Sequence, residues 1–217
     1  MVVTVTHGGY IKRTPLHAFR AQARGGKGRS SMATKDEDAV VEMFVTSTHN
    51  PVLFFTNTGR VYRLKVWKLP EGSPTTKGRP MVNLLPLGEE ERVTNVLPLP
   101  QDEAERSRLN IATDARETKS RTGIGVRGMK LKEGDKVVSL AVLHPLSHDM
   151  ETREAYLRGA VWKNNDTAHT LDPDIAAAME ENEEFILTLT ANGYGKISSA
   201  YEYRTIGRGG QGITNIG

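Results

Sequence analysis

The sequence predicts an all-β protein, a propeller-like disc of four-stranded blades with a short helical insertion in one blade. Three observations predict it. The chain repeats itself, each repeat holds short runs of β-branched and aromatic residues, and paired runs are joined by a glycine turn. The clearest repeat lies at a shift of 184, where Gly9–Gly28 aligns without gaps on Gly193–Gly212. Identities fall at Gly9/Gly193, Tyr10/Tyr194, Lys12/Lys196, Arg20/Arg204, Arg24/Arg208, Gly25/Gly209, Gly26/Gly210 and Gly28/Gly212.

The elements follow in order. "VVTVT", "VLFFT" and "FILTLT" each lead into a turn: His7-Gly8-Gly9, Asn57-Thr58-Gly59 and Ala191-Asn192-Gly193. A second short run follows each turn, so each unit opens with a hairpin. A glycine loop comes next, and then a further strand: "AVVEMFVTST", "RVTNVLPLP" or "KVVSLAVLH". The 50-residue step from Gly9 to Gly59 suits blades of four strands. The reading is one domain over 1–217, with blades near 1–50, 51–100 and 101–145 and a partial one at 185–217. The third blade is short: "LNIATDARETKS" before Arg121 is too little chain for a hairpin. Either this blade is degenerate or residues are missing near 110–115, the second reading being preferred, and a strand is expected after "GITNIG".

Between about 147 and 184 the pattern becomes helical. Asp172 is an N-cap followed by Pro173 at the first helical position, with Ile175, Ala178 and Met179 on one face. Thr152 is the expected cap of an earlier helix through "REAYLRGAVWK". Trp67, Trp162, Tyr10, Tyr194, Tyr201 and Tyr203 are read as packing residues.

Composition narrows the function. Charged residues make up 25% and hydrophobic ones 37%, and no apolar run reaches the roughly 18 residues of a membrane span. Cysteine is absent, which removes disulfides and thiolate chemistry and fits a cytoplasmic setting. His144 and His148 have Pro145 between them and no third ligand close by, so no metal site is expected. No nucleophile elbow or zinc-protease motif occurs, and no catalytic residue is expected. The acidic blocks, Glu89 to Glu91 among them, read as solvated faces.

The net charge of +3 conceals segregation. Residues 1–35 hold no acid, 60–80 hold six cations against Glu71, and 116–136 hold seven against three acids. The densest stretch is "QARGGKG". Gly25, Gly26 and Gly28 permit positive φ and close backbone approach. Arg24 and Lys27 can meet phosphate oxygens, and Gln22 can hydrogen-bond beside them. Gly26-Lys27 is followed by Gly28 and the first-glycine position is Ala21, so a nucleotide P-loop is excluded. Such a loop suits a line of phosphates and discriminates little between bases. The candidate contacts are Gln22, Arg24, Gly25, Gly26, Lys27 and Gly28, with Arg20, Arg29, Lys12, Arg13, Lys77, Arg79, Arg121, Arg127, Lys196, Arg204 and Arg208.

"QARGGKG" resembles the glycine-basic box Q-[RK]-R-G-G-[RK]-G of the DNA gyrase A C-terminal domain family, with Ala23 where a cation is common. "TNTGRVYRLKVWKLP" and "ANGYGK" followed by "GRGGQGI" are similar to the same type IIA topoisomerase domain. The topoisomerase IV branch shares the blades but has a degenerate or absent box. The resemblance implies a β-pinwheel of six blades in which neighbours exchange strands and double-stranded DNA wraps a basic rim. It implies that the wrap presents a DNA segment for strand passage, so that the holoenzyme introduces negative supercoils. The implied partners are the gyrase B subunit and a second A subunit in a heterotetramer at the nucleoid. ATP and Mg2+ belong to that holoenzyme, and no cofactor or cleavage tyrosine is implied here. The alternatives are the corresponding C-terminal domain of topoisomerase IV and a propeller whose basic rim binds protein.

Overall fold

A computed structural model of the chain describes residues 1–19, 38–102, 115, 117–118, 123–160 and 171–216. They divide into two compact units, 1–140 with 208–211 and 141–207 with 212–217.

The first unit is built of two repeats. β1 (Val2–Thr6) and β2 (Tyr10–Thr14) form a hairpin, and β3 (Val40–Val45) pairs with β1. β4 (Pro51–Thr56), β5 (Arg60–Lys65) and β7 (Val93–Pro98) repeat that arrangement. Even the bulge recurs, at Val5/Thr6 in one sheet and Phe55/Thr56 in the other.

The fourth strands are exchanged. β6 (Arg79–Pro80) follows β5 in sequence yet pairs with β2 of the preceding sheet, and β8 (Val126–Arg127) pairs with β5. The sheets therefore read β3-β1-β2-β6 and β7-β4-β5-β8. This is the strand exchange expected of a pinwheel.

Each hairpin turn is closed by the same chemistry. The Thr6 and Thr56 hydroxyls accept from the N–H of Tyr10 and Arg60, both at 3.2 Å, and Gly9 and Gly59 take φ of 78° and 74°. Only glycine adopts that φ at little cost, so T-x-x-G is the turn's signature.

The main core lies between the two sheets. Val3, Val5 and Ile11 meet Val52, Phe54, Tyr62, Leu64 and Val96. On the opposite face of β4, Leu53 and Phe55 pack with Val61, Leu99 and Ala115. Strand β4 is buried on both faces, so it lacks the polar alternation of a half-exposed strand.

The second unit contains the hairpin of β9 (Phe185–Leu189) and β10 (Gly195–Ser199), with helices α1 (Met150–Gly159) and α2 (Pro173–Glu181). Its turn repeats the Thr190-to-Tyr194 bond and a glycine, Gly193, at φ 83°. Tyr156, Met179 and Tyr201 form the local core, Tyr156 and Tyr201 meeting edge to face at 5.6 Å.

Several expectations are corrected. The cap of α1 is Asp149, whose carboxylate accepts from the Thr152 N–H at 2.8 Å. Residues 136–144 form no strand: in the other sheets such a strand pairs with its repeat's first strand, and the region that would supply one is the shortened segment. Trp67 is 48% exposed, with the Lys68 ammonium 5.5 Å from its ring, and Tyr194 is also exposed. Trp162 lies outside the described residues.

Candidate nucleic-acid interface

The exchanged strands decide where the glycine-basic segments lie. After β2 the chain makes a 3-10 turn at Leu16–Ala18, and after β5 an equivalent one at Val66–Lys68. The second leads through residues 69–78 to β6, which becomes the edge of the first sheet. A glycine is required at the crossing. Gly78 has φ 84°, and a Cβ there would sit 2.5 Å from the Ile11 carbonyl oxygen. Gly125 has φ 63°, and its Cβ would meet the Tyr62 ring at 2.8 Å. The loop glycines thus let one repeat lie against its neighbour.

The cations beside them divide into two groups. Lys12 is fully buried, and its ammonium donates to the carbonyls of Ser73 at 2.9 Å and of Pro74 and Thr76 at 2.8 Å. All three of its donors are used, and burial lowers its pKa. Lys12 is therefore withdrawn from the phosphate contacts. Arg13 pairs with Glu71 at 2.7 Å and donates from Nε to the Leu69 carbonyl at 2.9 Å. Thr14 donates to the Gly72 carbonyl at 2.9 Å. Together β2's side chains strap down the segment that delivers β6. Lys77 stands 3.7 Å from the Tyr10 ring centroid and 3.8 Å from Asp38 Oδ2, so its charge is partly answered inside the protein. The Gly8 N–H holds the Asp38 carboxyl below its ordinary pKa.

Arg79 and Arg127 are exposed, each on the edge strand of its sheet. Arg79 is opposite Ile11 and Arg127 opposite Arg60, one step apart in the repeat's register, so they project from opposite faces of their strands. Arg208 is exposed in the first unit, and Lys196 and Arg204 are exposed in the second. Arg20, Gln22, Arg24, Gly25, Gly26, Lys27, Gly28, Arg29 and Arg121 lie outside the described residues.

Sequence reasoning missed three participants. Arg60 donates to the Ile124 carbonyl at 2.5 Å and, with Arg127 and Lys130, lines a cleft of about 660 Å³. Arg60 directly follows a turn glycine, which hid it among strand residues; Lys130 was read only as part of a cation-rich run. Glu91 is not on a solvated face but 7% exposed, accepting from Thr56, Thr58, Tyr62 and the Gly88 N–H at 2.7–3.1 Å. Burial alone would raise its pKa, but these donors hold it below the ordinary value. Burial and the Glu91 charge push the Tyr62 hydroxyl up to about 12.

His144 hydrogen-bonds Glu184 at 2.9 Å and His148 bonds Ser147 at 2.8 Å. Among the described residues, no cluster of three or more His, Cys, Asp or Glu is placed to hold a metal ion. No helix among them is long and apolar enough to cross a membrane.

Comparison with known proteins finds one family. The pattern of the family described as DNA gyrase C-terminal domain, beta-propeller, matches residues 1–47, 50–100, 114–144 and 184–217, omitting the helical segment. The DNA gyrase A subunit of Rickettsia conorii is 41% identical over 288 aligned positions, covering all of this chain and 32% of that protein. The same subunits of Granulibacter bethesdensis and Escherichia coli are 38% and 34% identical, again over the whole chain and over 32% and 27% of their own lengths. The chain thus spans about a third of the curated relatives it matches. A solved DNA gyrase A C-terminal domain aligns over 98% of this chain and 58% of its own, with 19% identity and a TM-score of 0.48. A topoisomerase IV C-terminal domain aligns over 98% and 71%, with 18% identity and a TM-score of 0.47.

Proposed function

The chain belongs to the DNA gyrase C-terminal domain family of β-propellers, and on that premise we propose that it binds duplex DNA without base preference and wraps it along exposed cations. The observation that carries this reading is the strand exchange. It makes the glycine-basic segments of the second and third repeats edge strands of the preceding sheet, with Arg79 and Arg127 exposed there. An edge arginine can give two parallel hydrogen bonds to a phosphate while reading no base. Bending a duplex by 40–90° over 20–30 base pairs costs about 1–6 kcal/mol. Several phosphate contacts, with counterion release, offset that cost.

Arg24 and Lys27, with Gln22, Arg20, Arg29 and the backbone of Gly25, Gly26 and Gly28, are proposed as the strongest clamp. Arg79, Arg121, Arg127, Arg204, Arg208 and Lys196 continue the contacts. Lys77 and Arg13 contribute less, because Asp38 and Glu71 already answer their charge. In the full-length protein the wrap presents a DNA segment for strand passage driven by ATP, together with the gyrase B subunit and a second A subunit in the bacterial cytoplasm. The DNA-cleaving and ATP-hydrolysing chemistry is assigned to those other parts, so this segment alone is proposed to be non-catalytic.

The test is binding to a random-sequence duplex across a salt series. Arg79→Ala and Arg127→Ala should each flatten the slope of log K against log salt by about 0.9. Binding that does not respond to salt, or an unaltered slope in both variants, would refute the reading.

A further inference from the structure

Two glycine-basic loops that are distant in sequence touch directly. The Gly209 N–H donates to the Gly128 carbonyl at 2.9 Å, and the Lys130 N–H donates to the Gly210 carbonyl at 2.9 Å. Two backbone bonds in opposite directions make a short ladder, and both segments lie in the first unit. The contact is anchored beneath: the N–H groups of Gly128 and Met129 both donate to the Gly59 carbonyl, at 2.9 and 3.1 Å, and Arg60 holds the Ile124 carbonyl. Gly209 has φ 80°, and a Cβ there would lie 4.0 Å from the Arg127 Cδ. The glycine-basic segments of the second and third repeats each pair with a hairpin strand of the preceding repeat, β6 on β2 and β8 on β5. Here the segment of the last repeat is bonded to that of the third.

We infer that loops 127–130 and 208–210 form one composite phosphate clamp for a duplex backbone, with Arg127, Lys130 and Arg208 supplied by both loops and Arg60 behind them. It rests on the reading of the chain as a DNA-wrapping domain and deepens it. Arg127 and Lys130 are exposed, and with Arg60 they line one cleft, where Glu90 and Glu91 are the neighbouring acids. The ligand chemistry that fits is a row of phosphodiesters, because cations held on two coupled loops meet successive charges of one strand. A free phosphate satisfies one cation at a time and gains nothing from the coupling.

The experiment is a double-mutant cycle on duplex affinity with Arg127→Ala, Arg208→Ala and the pair, with Arg79→Ala as a site outside the clamp. Each single change should weaken binding several-fold. The pair should lose clearly less than the product of the singles, because either loss loosens the shared grip. Arg79→Ala combined with Arg127→Ala should be multiplicative. Gly209→Pro removes the N–H donor and opposes the positive φ without touching a charge, and should weaken binding about as much as Arg208→Ala. Gly209→Ala keeps the donor and should weaken it less. Inorganic phosphate should compete no better against the wild type than against Arg208→Ala. If Arg127 and Arg208 act independently, or if Gly209→Pro binds as the wild type does while retaining its thermal transition, the composite clamp is wrong and the wrapping reading survives. If the unaltered chain does not bind duplex at all, both fail.

Discussion

Lys12 occupies the same place in its repeat as Lys196, yet the two do different work. Lys196 is exposed, whereas Lys12 gives its whole ammonium to three carbonyls of residues 73–76. Lys12→Met should therefore destabilise the protein by about 1–3 kcal/mol, through carbonyls left without a donor, in a urea titration. The salt slope of DNA binding should stay unchanged, whereas a surface contact would flatten it. Tyr62 and Glu91 give a second test. The folded Tyr62 pKa lies above its unfolded value near 10, so its contribution is complete below that value and is lost as pH rises through about 12. The folded Glu91 pKa is depressed, so its contribution is present above the ordinary carboxylate range and is lost as pH falls. Tyr62→Phe should flatten the alkaline limb of unfolding free energy against pH, and Glu91→Gln the acidic limb. Neither burial was legible in the sequence: Lys12 sits in a cationic run and Glu91 in an acidic one, and burial there depends on loops that arrive from elsewhere.

At the scale of elements, hairpins were legible because their turn chemistry is local. The threonine, the glycine that closes the turn and the β-branched neighbours all lie within about a dozen residues. Strand exchange was implied by the family resemblance, but local pattern did not mark which segments are exchanged, since β6 and β8 are two residues long and owe their pairing to a preceding repeat. Glycine is what allows that pairing. Gly78→Ala would place a Cβ 2.5 Å from the Ile11 carbonyl oxygen at a φ that alanine resists, and should cost about 1–3 kcal/mol. Hydrogen exchange at the β2–β6 pairing should speed up with it. Gly134→Ala is the control: its φ is 86° but no atom lies within 4 Å of the added Cβ, so it carries only the conformational cost. The segment 136–144 marks the reverse case. It has the composition of a strand, but composition does not supply a partner, and the ladder does not form.

For the molecule as a whole, the decisive measurement is topological. Relaxing circular DNA in the presence of the chain should shift the linking-number distribution if the duplex is wrapped, and leave it unmoved if the duplex is only bound. The shift should shrink as salt rises, because phosphate neutralisation supplies the attraction, and it should shrink further when Arg79 and Arg127 are replaced together. The amino-acid sequence by itself determined the repeat, the hairpins, the capped helix at Asp172 and the cation-rich glycine loops, since periodicity, turn residues and charge are written within short windows. Only the tertiary structure decided which cations reach solvent and which loops meet. Exposure of Arg79, burial of Lys12 and docking of Gly209 on Gly128 are each set by contacts between residues more than 60 positions apart, and no local pattern encodes such a contact.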